Sequence, residues 1–215
     1  MNILITAGND NLSNILKNNL KGHSIKVSND LSTNNISNFD CLIILSSLKK
    51  CLDPEELNLK IQGIYNTLSS SVESNIKKVI MISSLEIFDY KEDYTVTETW
   101  KTTPKIELTN LSINLSEVIF KEFGRTFPFQ KILLRAGFPL KNKFNDNKKS
   151  CFTNETDFVN AVSKLIDVNL KNQFEIFHIQ TKSDKAKYLT NKIDEIDNLS
   201  ADLKDHFYHP RVQEL

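Results

Sequence analysis

Short, unbroken apolar runs recur along this chain, each separated from the next by a stretch with helical periodicity. "NILIT" at 2–6, "CLIIL" at 41–45, "VIMI" at 79–82 and "ILLRA" at 132–136 are dominated by Ile, Leu and Val and lack the alternation of a half-exposed strand. Such runs suit strands covered on both faces, as in a parallel sheet. Between them, residues 11–21 place Leu12, Ile15, Leu16 and Leu20 on one helical face, and Gly22 is expected to end that helix. Residues 53–74 open on Asp53-Pro54, an N-cap and a first-turn proline, and carry the stripe Leu57, Ile61, Ile64, Leu68, Val72. Asn75 is expected to take the left-handed position after that helix. Residues 107–126 are helical, with Leu108, Leu111, Leu115, Val118, Ile119 and Phe123 in phase. A further helix at 154–169, a last strand "FEIFHIQ" and a charged helical tail complete the chain.

Strands alternating with helices predict an α/β fold: a doubly wound parallel sheet, Rossmann-like, with a reduced C-terminal lobe. Residues 1–140 form the Rossmann-like part and 141–215 a small extension packed on it, one compact domain overall. Ligands in such sheets bind beyond the C-terminal strand ends. That directs attention to "TAGNDNLS", "LSSLKK", "ISSLEIF" and "RAGFPL".

Composition excludes several classes. The 27 basic and 27 acidic residues cancel, so no basic excess argues for nucleic acid or a membrane surface. No apolar run approaches the roughly 20 residues of a membrane span. Cys41, Cys51 and Cys151 are odd in number and far apart, which makes neither a disulfide framework nor a zinc pattern. A reducing, cytoplasmic setting without a signal peptide is expected, since the first strand starts at Asn2. His206 and His209 form a local cluster without a third ligand, so no metal is expected.

The order and spacing of five segments resemble the extended short-chain dehydrogenases, the NAD-dependent epimerase/dehydratase family. "KKVIMISSLEIFDY" resembles that family's strand ending in Ser-Ser followed by Val-Tyr-Gly. "GIYNTL" is similar to its Gly-Thr-x-Asn-Leu, and "TETW" to the Thr-Glu after the serine loop. "LLRAG" is similar to its Leu-Arg-Pro-Gly, and "TNETDFVNAV" to its His-Val-Asp-Asp-Val segment. The resemblance spans roughly residues 1–180. It implies NAD or NADP at the strand ends, with Gly8, Asp10, Asn11, Leu12, Asn29, Asp30, Leu45, Ser46, Ser83 and Gly137 as cofactor-binding positions. It also implies a homodimer through helices 53–74 and 107–126.

The departures bear on activity. The family's three turn glycines fall on Ala7, Asp10 and Ser13. Asp10 stands where the backbone must approach a pyrophosphate. Like charges about 4 Å apart at an effective dielectric near 20 repel by roughly 4 kcal/mol, about a thousandfold in affinity. Read locally, Asp10 is instead a helix N-cap facing solvent. The family's acid after the second strand falls near Asn29 and Asp30. About ten residues then remain before "CLIIL", too few for the helix and strand that normally wall the adenine pocket. Ser84 matches the catalytic serine, but the helix positions of the family's tyrosine and lysine hold Thr109 and Ile113. Threonine is too weak an acid, and isoleucine carries no charge. A Tyr-x-x-x-Lys does occur at Tyr188 to Lys192, on the wrong element. Tyr90 and Tyr94 are nearer the mouth. NAD binding is thus expected to be weak or absent, and the chain a pseudoenzyme for a nucleotide, small metabolite or partner. The alternatives are an active oxidoreductase or epimerase on a small sugar-like substrate with non-standard groups, and a purely structural subunit.

Overall fold

The computed structural model describes residues 1–7, 9–88, 95–138, 140–141, 151–181 and 187–196. Gly8, Tyr90, Tyr94, His206, His209 and the charged tail, on which expectations were stated above, lie outside the described residues. The strands are β1 (Asn2–Thr6), β2 (Ser24–Ser28), β3 (Cys41–Ile44), β4 (Lys78–Ser84), β5 (Gln130–Ala136), β6 (Leu140–Lys141), β7 (Thr153–Asn154) and β8 (Phe174–Ile179). Six of them make one parallel sheet in the order β2-β1-β3-β4-β5-β8, while β6 and β7 form a separate two-residue pair.

The helices α1 (Asp10–Asn19) and α5 (Glu155–Asp167) cover one face, and α3 (Pro54–Glu73) and α4 (Leu108–Thr126) the other. Alternate strand residues serve the two layers: Ile3, Ile43, Ile80 and Leu134 meet Leu16 and Phe158, while Leu4, Leu42, Met81 and Leu133 meet Leu68 and Phe120. This two-sided burial is why the runs read as continuously apolar. The order of strand addition reverses between β1 and β3, so the crevice at their C-terminal ends is the switch point. Beyond β1, the sheet ends at β2, and only the four-residue helix α2 (Thr33–Ile36) separates β2 from β3.

Several local expectations hold. Asp53 caps α3 by accepting from the Glu56 N–H at 2.8 Å. Asn75 has φ 53°, its N–H donates to Val72 O, and that of Ile76 donates to Ser71 O, which closes the helix in a Schellman pattern. Three readings are corrected. The cap of α1 is Asn9, whose Oδ1 accepts from Leu12 N–H at 3.2 Å; Asp10 is the first helical residue and exposed. Three Asx residues in a row offer competing caps, and Asn9 takes the role because its carbonyl also receives Ser13 N–H. Gly22 does not end α1, which is capped at Leu20; its φ of +82° instead serves the turn into β2. The stripe expected to bury α4 is out of phase. Of those six residues only Phe123 is buried, and the inward face is Ile113, Ser116, Glu117, Phe120 and Gly124. Small and polar side chains face inward because α4 packs closely on α3 and covers a buried charge.

Candidate functional site

The strand ends are tied together by hydroxyl groups. Thr6 Oγ1 at the end of β1 accepts from Leu45 N–H at 2.8 Å and Ser46 N–H at 3.1 Å. Ser47 Oγ donates to Ile82 O at 2.5 Å and so links the turn after β3 to β4. The sequence places Leu45 and Ser46 at the cofactor crevice. The structure does bring them to the switch point, with their amides engaged by Thr6.

The turn after β1 presents the start of α1. Leu12 N–H and Ser13 N–H are satisfied by Asn9, which leaves the Asp10 and Asn11 amides as those that an anion could use. The Asp10 and Asn11 side chains are exposed and that of Leu12 is buried in the core. At the end of β2, Asn29 is exposed. Asp30 Oδ1 accepts from Ser32 N–H at 3.1 Å, and Ser32 and the nearby Lys26 hold its carboxyl below the usual range. Its carboxylate therefore already organises the loop into α2.

The positions that the resemblance makes catalytic are likewise engaged. Ser84 Oγ accepts from Glu86 N–H at 3.1 Å and caps the 3₁₀ turn Leu85–Ile87. Thr109 Oγ1 accepts from Cys51 N–H and donates to Cys51 O, both at 3.2 Å, and so clamps the loop after β3. Ile113 packs with Leu85, Ile87, Phe88, Val96 and Tyr188 in an apolar cluster. Gly137 is needed for close approach, but the approaching group belongs to this chain. A Cβ there would stand 3.0 Å from the Phe152 backbone and 3.1 Å from Cys151 Sγ. The Gly137 N–H itself donates to Ile179 O and Thr153 Oγ1.

Sequence reasoning missed a buried ionic network beneath the crevice. Glu117 on α4 is fully buried, and its carboxylate receives both Nε (2.9 Å) and an Nη (2.7 Å) of Arg135 on β5. Ser83 Oγ donates to the same carboxylate at 2.7 Å and Lys121 Nζ at 3.2 Å. Burial raises the Glu117 pKa, but the Arg135, Lys121 and Ser83 donors outweigh that effect and hold it below the ordinary value. Ser83, a proposed cofactor contact, is thus wholly committed to Glu117. The signal in the sequence was a charged residue inside the apolar run "ILLRA", which demands a buried counter-charge.

Arg135 extends the network to His178, 3.3 Å from its Nη1. Arginine only donates, so Nε2 of His178 accepts and the proton sits on Nδ1. Burial, with the Arg135 and Lys192 charges, pushes the imidazole down to about 3. A neutral histidine that resists protonation is easier to protonate after unfolding. Its contribution is therefore complete above about pH 6.5 and is lost as pH falls toward 3. Urea midpoints should fall between pH 6.5 and 5, and His178→Gln should flatten that slope; a native midpoint independent of pH over this range would contradict it.

Tyr188 and Lys192 do not act as a pair. The Tyr188 hydroxyl donates to Leu85 O at 3.1 Å, beside the Ser84 turn, and burial raises its pKa, the opposite of what proton transfer needs. Lys192 instead bonds Glu175 and Ile176 O on the edge strand. A second lysine the sequence reading passed over, Lys60 on α3, is buried and donates to Ser112 Oγ at 2.8 Å and Lys49 O at 2.7 Å. Burial lowers it to about 8. It joins α3 to α4 next to Thr109 and Ile113.

No protein-family model and no curated protein matches this sequence. The fold has close structural counterparts. A mutated uronate dehydrogenase superposes with a TM-score of 0.76 at 14% identity, over 94% of this chain and 82% of that one. A point mutant of uronate dehydrogenase from Agrobacterium tumefaciens, complexed with NAD, gives 0.76 at 13% over 94% and 84%. UDP-N-acetylglucosamine 4-epimerase from Bacillus cereus gives 0.69 at 15% over 85% and 76%. The chain thus shares the Rossmann-like fold of these enzymes. No helix among the described residues is long and apolar enough to cross a membrane.

Proposed function

We propose that this chain is a member of the NAD-dependent epimerase/dehydratase family that keeps the framework and has given up hydride transfer, acting as a binding protein for a nucleotide, small metabolite or partner. One observation carries this reading: at each position where the chemistry needs an available group, the group present serves the chain's own structure. Ser84 caps a turn, Thr109 clamps Cys51 and Ile113 fills an apolar cluster. Proton transfer coupled to hydride transfer has no acid–base pair at these positions. The same reading makes dinucleotide binding weak, because Asp10 stands at the helix start and β2 is the sheet edge on the adenine side. Calorimetric titration of the unmodified chain with NAD and NADP should give no binding tighter than about 1 mM. Sub-millimolar affinity would contradict it.

The outer surface of α3 and α4 supports a homodimer. Leu59 (60%), Tyr65 (54%) and Val118 (47%) are exposed there. Grooves of about 350 and 370 Å³ flank Tyr65, one running to Phe123 and Phe127, the other to Ile61 and Ile119. A half-exposed ring shared by two apolar grooves suits the self-complementary patch that a two-fold interface requires. Light scattering at high micromolar concentration should return twice the chain mass, and Tyr65→Asp should return the monomer. A monomeric unmodified chain would refute this assembly.

A further inference from the structure

A second cleft, of about 410 Å³, lies on the α4 side of the sheet. Phe174 and Ile176 line it; they stand at the start and middle of β8, below the C-terminal strand ends of the crevice described above. Lys121, Arg135, Lys192, Glu175 and the segment 98–102 complete its lining. The size suits a small molecule.

The charges in this cleft narrow the ligand class. Arg135 and Lys121 are both paired with Glu117, and Lys192 with Glu175. Glu98 differs: its Oε1 is buried without a hydrogen-bond partner. A buried carboxylate oxygen left without a donor is costly, so a ligand that donates to it gains affinity. A simple anion would meet Glu98 and Glu175; a simple cation would meet Lys101, Lys121, Arg135 and Lys192. A neutral polyol avoids both conflicts, since its hydroxyls donate to Glu98 and accept from the ammonium groups. Trp100, Phe174 and Ile176 offer apolar surface to the C–H face of a sugar ring. From this combination we infer that the cleft is a binding site for a neutral monosaccharide, separate from the strand-end crevice.

Trp100 is the chain's single tryptophan and lines this cleft, so its emission responds to binding there, and the Glu98 variant separates that response from binding at the strand-end crevice. A panel of neutral hexoses and pentoses is titrated into the full chain, with choline and inorganic phosphate as charged controls. At least one sugar should change the emission saturably in the millimolar range, and Glu98→Gln should weaken it tenfold or more with the thermal midpoint retained. Calorimetry on Trp100→Phe should show weaker binding of the same sugar. No saturable response to any sugar overturns the inference. Saturation by choline or phosphate alone, or a sugar affinity unchanged in Glu98→Gln, does so as well.

Discussion

Glu117→Ala should destabilise the fold by about 3–5 kcal/mol, the usual consequence of leaving a buried charge without its partner. Arg135 is 1% exposed, and the carboxylate satisfies two of its donors. Removal of Glu117 also strands Ser83 and Lys121, so the loss is large against a total stability of about 5–15 kcal/mol for a domain. Arg135→Leu should be as harmful, because it leaves a fully buried carboxylate. The two changes should not add. With Glu117→Met and Arg135→Leu combined, neither charge remains buried alone, and much of the loss should return. Denaturant unfolding of the two single variants and the double variant measures this. Additive losses would mean that the pair is not the unit holding α4 to β5.

Asp10→Gly should raise NAD affinity by at least tenfold. With Asn9 as the cap, the substitution leaves the Asn9–Leu12 bond in place and removes one exposed carboxylate from the first turn of α1. The upper limit is set by like charges about 4 Å apart at an effective dielectric near 20, roughly 4 kcal/mol or a thousandfold. Solvent screening at an exposed position brings the effect below that limit. The sheet edge at β2, with no further strand beyond it, also limits the recovery. Stability should fall by less than about 1 kcal/mol, the size of a lost favourable charge at a helix N-terminus. An unchanged affinity in calorimetric titration would show that the turn's backbone, rather than this carboxylate, keeps dinucleotides out.

Much of the fold was legible because its strands are buried on both faces and its helices carry strong local signals. "CLIIL" and "VIMI" admit little else, and Asp53-Pro54 and Asn75 mark the ends of α3 by capping chemistry that needs no tertiary information. The phase of α4 was not legible. Its apolar residues Leu111, Leu115, Val118 and Ile119 outnumber those it buries, and periodicity assigns the core to the larger set. The true inward face depends on Glu117, whose partner Arg135 lies on a different element. At the site, position was legible and occupancy was not. Ser83, Ser84, Thr109 and Gly137 do lie on the strand ends and helix where the spacing puts them. That Ser83 serves Glu117, Thr109 serves Cys51 and Gly137 admits Phe152 are contacts between remote segments, which no local pattern encodes. The Tyr188 hydroxyl reaches the Ser84 turn for the same reason: it arrives on a late segment paired with Val96.

Turnover tests most directly whether the crevice keeps its architecture without hydride-transfer chemistry. The purified chain is incubated with NAD or NADP and a panel of uronates, nucleotide sugars and simple alcohols, and nicotinamide reduction is followed by absorbance. No reduction above the protein-free rate is expected, because Thr109 and Ile113 supply neither the acid nor the cation. Steady reduction that disappears in Ser84→Ala would contradict it and would assign catalysis to this serine with groups other than those two.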